Sequence, residues 1–316
     1  MAAVPAWLRR AIPDAQSLAS KDVEDVALTA GAAIGALDAV VHRQGRWAGA
    51  WRQRLALTAA AVTVKQAGRV EDEAALRDAV LLTRPGDDVG PAGQMSSAWR
   101  RLATRPAVGL LTEKGLAAVL EEFGHARGHE AVCDLAGELR QFNAGTGTVE
   151  MLTRAVAAAE RHGFGRAVGA WIADALLAQR LGWIHAVPLL GTEEALGMGA
   201  SRSRRTATVI RATAIEDGSE RAKMLLAAQA RAALRATDLS AELGRRADKL
   251  LAVAPKLRAK AADAVVDRLL SEDAIVASEE IAGMSDRGLR RLFDRLVELG
   301  AVRELSGRST FRTYGL

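Results

Sequence analysis

The chain has 316 residues, 49% hydrophobic and 26% charged, enough for two domains with cores of their own and too apolar for an intrinsically disordered protein. Its single cysteine, Cys133, excludes an internal disulfide framework and fits a reducing cytoplasm. The formal net charge is +5, and the surplus is local: residues 1–198 hold 21 basic and 22 acidic side chains, 199–258 hold 13 and 6, and 259–316 hold 9 and 10.

Ala, Leu and Arg dominate and aromatics make up only 4%, which favours helix over sheet. Arg9 and Arg10 are followed by Ala-Ile-Pro-Asp rather than by an apolar stretch, and the apolar run 55–64 is too short to span a bilayer. The expectation is therefore a cytoplasmic protein without membrane association. Helices are predicted over 20–44, 46–67 and 71–82. Gly45 separates the first two, and Trp47, Trp51 and Leu55 recur at i, i+4 spacing. Glu71, Asp72 and Glu73 suit the first turn of the third, where negative charge is favoured. Residues 84–93, rich in Pro, Gly and Asp, read as a loop. Further helices are predicted over 94–104, 113–123, 128–141, 148–162 and 165–182. Pro188, Gly191, Gly197 and Gly199 break the helical pattern across 185–199. Two more helices are expected over 204–236 and 238–253. Pro255 then marks a boundary between a helical domain, 1–254, and a C-terminal domain, 255–316.

The last sixty residues read as a winged helix-turn-helix, so the fold class is mainly α: a large N-terminal helical domain plus this unit with a two-stranded wing. A first helix over 259–270 carries apolar residues at 262, 265, 266, 269 and 270. A short second helix is expected over 278–282, followed by a turn at Gly283. Ser285 caps a third helix over 286–298, with Gly300 just past its end. Strands at 302–305 and 310–314 close the unit. That frame commonly places one helix in a DNA groove.

On the third helix, Leu289, Leu292, Phe293 and Leu296 form the buried stripe, and Arg287, Arg290, Arg291 and Asp294 fall on the other side. Arginines near a helix start can fork onto guanine O6 and N7, and Ser285 with the first-turn amides can meet a phosphate. Arg308 and Arg312 in the wing are candidates for backbone or minor-groove contact. Arg202, Arg204 and Arg205, with Arg245, Arg246, Lys256, Arg258 and Lys260, are candidates for holding phosphates without reading sequence. The expected partner is double-stranded DNA, bound by a homodimer. The competing reading is a solvated arginine face on a protein-interaction module.

Other motifs favour bland readings. His125 and His129 have the i, i+4 spacing of two metal ligands on one helix, without the glutamate of a zincin motif or a third ligand. Asn143-Ala-Gly-Thr-Gly-Thr148 lacks a P-loop lysine and reads as a helix start. Asp87-Asp88 reads as solvated and Cys133 as a buried thiol. No metal, cofactor or catalytic residue is expected.

Several blocks carry a resemblance: Trp51-Arg-Gln-Arg-Leu-Ala-Leu57, residues 68–78, Arg84-Pro-Gly-Asp-Asp88, Ala254-Pro-Lys-Leu-Arg-Ala-Lys260, 299–308 and Phe311-Arg-Thr-Tyr-Gly-Leu316. Over roughly 25–316 the chain resembles a bacterial family called domain of unknown function 1403, often carried on plasmids and other mobile regions. The resemblance implies a role in regulation or maintenance of a mobile element and assigns no activity. A fainter rhythm over 171–191 resembles Fic-type proteins, with His185 at the motif histidine. The proline, asparagine and phosphate-binding arginine of that motif are missing, so the alternative it implies is a degenerate nucleotide-binding or transferase domain.

Overall fold

The computed structural model describes residues 4–84, 86–125, 128–194, 212–257, 261–308 and 310–316, with backbone alone at 129, 143–144 and 212–217. Among these residues the protein is mainly helical, with one small three-stranded sheet near its end. Two short helices, α1 (Ala6–Ala11) and α2 (Ala15–Ala19), precede α3 (Val23–Arg43) and were not expected from the sequence pattern. Then follow α4 (Ala48–Gln66), α5 (Glu73–Leu81), α6 (Gly90–Thr104), α7 (Ala107–Leu110), α8 (Glu113–Glu122), α9 (His129–Gly145), α10 (Thr148–Arg161) and α11 (Gly165–Arg180). Local chemistry sets several starts. The Asp72 and Thr112 side chains accept from the amides of Ala75 and Gly115 at 2.8 and 3.1 Å, capping α5 and α8. Helix α6 begins inside the expected 84–93 loop. Pro91 lies in its first turn, where a missing N–H costs nothing, and Asp88 accepts from the Gly90 amide at 2.8 Å.

The two helices expected over 204–236 and 238–253 are one: α12 (Ala212–Val253) runs 42 residues, about 63 Å at the α-helical rise. The sequence Thr237-Asp-Leu-Ser240 looks like a helix start, but its polar groups are engaged elsewhere. The Thr237 hydroxyl donates back to the Ala233 carbonyl at 2.8 Å, and Asp238 takes the Arg9 guanidinium. Helix α12 packs along α3, which is by length and composition alone apolar enough to cross a membrane.

Tryptophans tie the helices together. The indole N–H of Trp51 (α4) donates to the Ala236 carbonyl of α12 at 2.8 Å, that of Trp99 (α6) to Thr63 of α4 at 2.9 Å, and that of Trp171 (α11) to the Ala98 carbonyl of α6 at 2.9 Å. All three rings are fully buried, so each combines a large apolar contribution with a satisfied polar tip. After α11, Asp174 pins the following loop. Its fully buried carboxylate accepts from the amides of Leu189 at 2.8 Å and Leu190 at 3.1 Å, and from that of Gly191. Burial pushes this acid up to about 7, with the three amides pulling the other way. Gly191 lies flat on the Trp99 indole, where any Cβ would enter the ring.

The C-terminal elements are α13 (Ala262–Ser271), β1 (Ile275–Val276), α14 (Asp286–Glu298), β2 (Arg303–Glu304) and β3 (Thr313–Gly315). The sheet order is β1-β3-β2 and both pairings are antiparallel, with Ile275 opposite Tyr314 and Arg303 opposite Gly315. The helix expected over 278–282 is instead a pair of turns, closed by the Glu279 amide to the Val276 carbonyl at 3.1 Å and the Met284 amide to the Ile281 carbonyl at 3.0 Å. So short a segment, with three polar residues before its first apolar one, does not offset the cost of nucleating a helix. The β-branched pair Ile275-Val276 becomes a strand, which the sequence pattern did not single out. Tyr314 stacks on Phe293 of α14 with centroids 4.2 Å apart, joining sheet to helix.

These elements dock on α4, α5 and α12. Gly49 of α4 meets the Ser271 carbonyl so closely that a Cβ would collide with it, and Gln53 donates to the same oxygen at 2.9 Å. Close by, buried Asp273 lies between Arg54 of α4 and Arg77 of α5, the latter donating at 2.7 Å. The Leu316 carbonyl accepts from Arg246 of α12 at 3.0 Å. The buried side chains of α13 and α14 are continuous with the core around Trp51 and Leu57.

Candidate nucleic-acid interface

Helix α14 is strongly amphipathic. Leu289, Leu292, Phe293 and Leu296 are buried, as their spacing predicts, while Arg287, Arg290, Arg291, Asp294, Arg295 and Glu298 are exposed. Ser285 caps the helix by accepting from the Gly288 amide at 3.2 Å. At the other end, Gly300 takes the left-handed conformation with φ +60°. Lys249 of α12 reaches that end, its ammonium close to the Gly300 Cα, where a cation is favoured.

The five C-terminal arginines singled out from the sequence divide into two groups. Arg287, Arg290 and Arg291 are exposed, and among the described residues none of them makes an ion pair. Arg308 and Arg312 are exposed but engaged. Arg308 pairs with Asp78 of α5. Arg312 donates through Nε to the Arg308 carbonyl at 3.1 Å, and its guanidinium is pushed above its ordinary value by the Tyr314 side chain, Glu304 and Asp294. Glu304 organises the β2–β3 turn by accepting from the amides of Ser306 and Gly307 at 2.7 and 3.0 Å. Burial pushes Glu304 up, and the Ser306 and Gly307 hydrogen bonds outweigh it, so the net shift is down.

Arg202, Arg204, Arg205, Arg258 and Lys260 lie outside the described residues. Of the other basic candidates, Arg245 and Lys256 are exposed, whereas Arg246 is drawn inward to Glu242 and the Leu316 carbonyl. Sequence reasoning passed over Arg303, exposed on β2 beside Arg246. It also passed over Phe311, next to Arg312.

The remaining motifs resolve into structure. His125 lies in the connector between α8 and α9, outside any helix, so it does not share a helix face with His129. Its ring meets Phe164 edge to face at 5.4 Å. Among the described residues no cluster of three or more metal-ligating side chains occurs. Cys133 is only partly buried rather than enclosed. His185 pairs in backbone register with Pro106, and burial together with the neighbouring Arg52 holds its imidazole below the ordinary value. The amides that follow it at 189–191 are occupied by the Asp174 carboxylate.

A family model described as "Protein of unknown function (DUF1403)" matches residues 1–316. The chain belongs to this family. The match takes in α1 and α2 as well as the 25–316 region that carries the resemblance in sequence. Neither a curated protein nor a solved structure matches the chain. In this member of DUF1403, Arg287, Arg290 and Arg291 of α14 are exposed and, among the described residues, make no ion pair, with Asp286 and Asp294 on the same helix.

Proposed function

We propose that the protein binds double-stranded DNA through α14, as a cytoplasmic regulator or maintenance factor of a mobile element, acting as a homodimer. The observation that carries this reading is the set of three exposed arginines, Arg287, Arg290 and Arg291, in the first half of an amphipathic helix with a capped N-terminus. The chain order α13, β1, α14, β2, β3 and the sheet order β1-β3-β2 support a winged-helix reading of residues 255–316. The turns at 277–284 then stand where the helix-turn-helix would have its second helix. Asp286 and Asp294 are the acids nearest these arginines along α14, and the net positive face matches a phosphate backbone.

The division of labour is testable. Arg290→Ala is expected to weaken a selected site by about 1–3 kcal/mol relative to random duplex, the cost of losing one base fork. Arg204→Ala is expected to weaken all sequences alike and to lower the salt slope by about one unit, the signature of a phosphate contact. Site selection followed by filter binding across a salt series measures both. Equal effects of the two substitutions on selected and random duplex would refute the division. Copurification with a protein partner and absence of duplex binding would favour the interaction-module reading instead.

A further inference from the structure

Helix α3 carries one line of exposed residues. Its other side is buried at Val26, Thr29, Ala30, Ala33 and Leu37, and α12 packs along it. Past the first turn, the exposed residues are Leu28, Gly31, Gly35 and Ala39, ending in His42 and Arg43. At the α-helical period these fall on one face, with Glu24 and Asp25 at its start. A solvated helix face normally carries charge, yet no exposed residue between Asp25 and His42 is polar. Asp38, at the edge of the face, accepts from the Trp183 indole N–H at 2.8 Å and pairs with His42. Leu28 is 71% exposed. A Cβ added at Gly31 or Gly35 would meet nothing within 4 Å, so no described residue covers the face there.

Glycine and alanine set how close a partner can come; Leu28 and the charged ends set which partner it is. The face is acidic at its start and basic at its end. Among the described residues Glu24, Asp25 and Arg43 make no ion pair. A second copy of the chain, laid antiparallel about a two-fold axis near Ala33 and Ile34, answers each of these features. Asp25 of each copy then falls opposite Arg43 of the other, and Glu24 opposite His42. Leu28, the one large side chain on the line, falls opposite the small Ala39. Gly31 and Gly35 meet near the axis, where missing side chains let two backbones approach. A parallel pairing would instead set acid against acid and Leu28 against Leu28. We infer that α3 forms the homodimer interface as an isologous, antiparallel helix pair. A lipid surface suits the face less, because it would gain only one side chain larger than alanine to bury. This rests on the homodimer part of the reading above and is independent of duplex binding by α14.

Sedimentation equilibrium of the full chain tests it at about 100 μM, where even a dimer with a dissociation constant of about 10 μM is the main species. Circular dichroism and melting temperature report folding in parallel. Wild type is expected to be a dimer. Leu28→Glu should be monomeric with unchanged helix content, its association weakened at least about a hundredfold because the two-fold axis repeats the change at two sites. Asp25→Arg and Arg43→Asp should each weaken the dimer about tenfold, since each turns two pairs repulsive at once. The two reversals combined in one chain should recover the wild-type association to within about twofold, a rescue that a folding defect would not give. A Leu28→Glu dimer as tight as wild type would overturn the α3 interface and leave a homodimer formed elsewhere. Failure of the double reversal to recover association would overturn the antiparallel pairing. A monomeric wild type would overturn the interface and the homodimer together, and Leu28-dependent binding of that monomer to phosphatidylglycerol vesicles would assign the face to lipid.

Discussion

Replacing Asp273 with asparagine is expected to destabilise the protein by about 3–5 kcal/mol, the usual cost of removing one partner from a buried ion pair. The reason is geometric. Asp273 is buried and its two carboxylate oxygens each receive one guanidinium, Arg54 on one side and Arg77 on the other, with Arg77 itself only 8% exposed. Asparagine is nearly the same size but leaves two positive charges facing each other with no anion between them. The pH dependence separates this from a packing defect. Burial pushes the Asp273 carboxyl up, and the charges and hydrogen bonds of Arg54 and Arg77 outweigh it, so its folded value lies below the ordinary one. A carboxyl depressed on folding contributes stability above its unfolded pKa of about 3.9 and loses it as pH falls through the folded value. Urea unfolding should therefore show the wild-type advantage in full at neutral pH and shrinking below about pH 4. A variant within about 0.5 kcal/mol of wild type at pH 7, the range of an ordinary surface change, would refute this role for Asp273.

The second large effect is expected at Asp174, with the opposite pH signature. Asp174→Ala removes the acceptor for the amides of Leu189, Leu190 and Gly191 at a fully buried site. Orphaned buried donors cost about 1–3 kcal/mol each, and relaxation of the loop makes the sum less than additive, so a loss of roughly 3 kcal/mol is expected. In wild type, burial raises the folded pKa to about 7. A carboxyl raised on folding gives its full stabilisation below the unfolded value of about 3.9 and loses it as pH rises through the folded one. Wild-type stability should thus fall between those two values on account of Asp174, and Asp174→Asn, which does not titrate, should lack that slope. Hydrogen exchange at the three amides reports the local effect. Unchanged protection there in Asp174→Ala would show that other groups hold the loop.

Much of this fold is legible in the sequence because periodicity reports burial directly. The stripe Leu289, Leu292, Phe293, Leu296 and the cap at Ser285 place α14 correctly, and Gly300 ends it. The failures arise where long-range partners override local signals. Thr237 and Asp238 imitate a helix start, but Asp238 is drawn to Arg9, 229 residues away, and the helix continues. Ile275 and Val276 look like part of a connector until β3 arrives to pair with them. Arg308 and Arg312 read as free wing charges, and only the folded chain brings Asp78 and Glu304 to them. Asp174 and Asp273 carry no local signature at all, since each is defined by groups brought in by other segments.

Folding narrows the set of candidate arginines: Arg308 and Arg312 are engaged beside the β2–β3 turn, and Arg287, Arg290 and Arg291 of α14 stay exposed. The most direct test of their role is the slope of log binding constant against log salt on one duplex, for wild type and for the variant combining Arg287→Ala, Arg290→Ala and Arg291→Ala. Among the described residues none of these side chains makes an ion pair, and none is buried, so the variant should fold as wild type does. Duplex binding by wild type is predicted, with a slope steeper than the variant's by roughly two units, about one each for Arg287 and Arg291 withdrawn from the phosphate backbone, Arg290 being assigned to a base edge. Equal slopes, or no binding by wild type at low ionic strength, would contradict DNA recognition by α14.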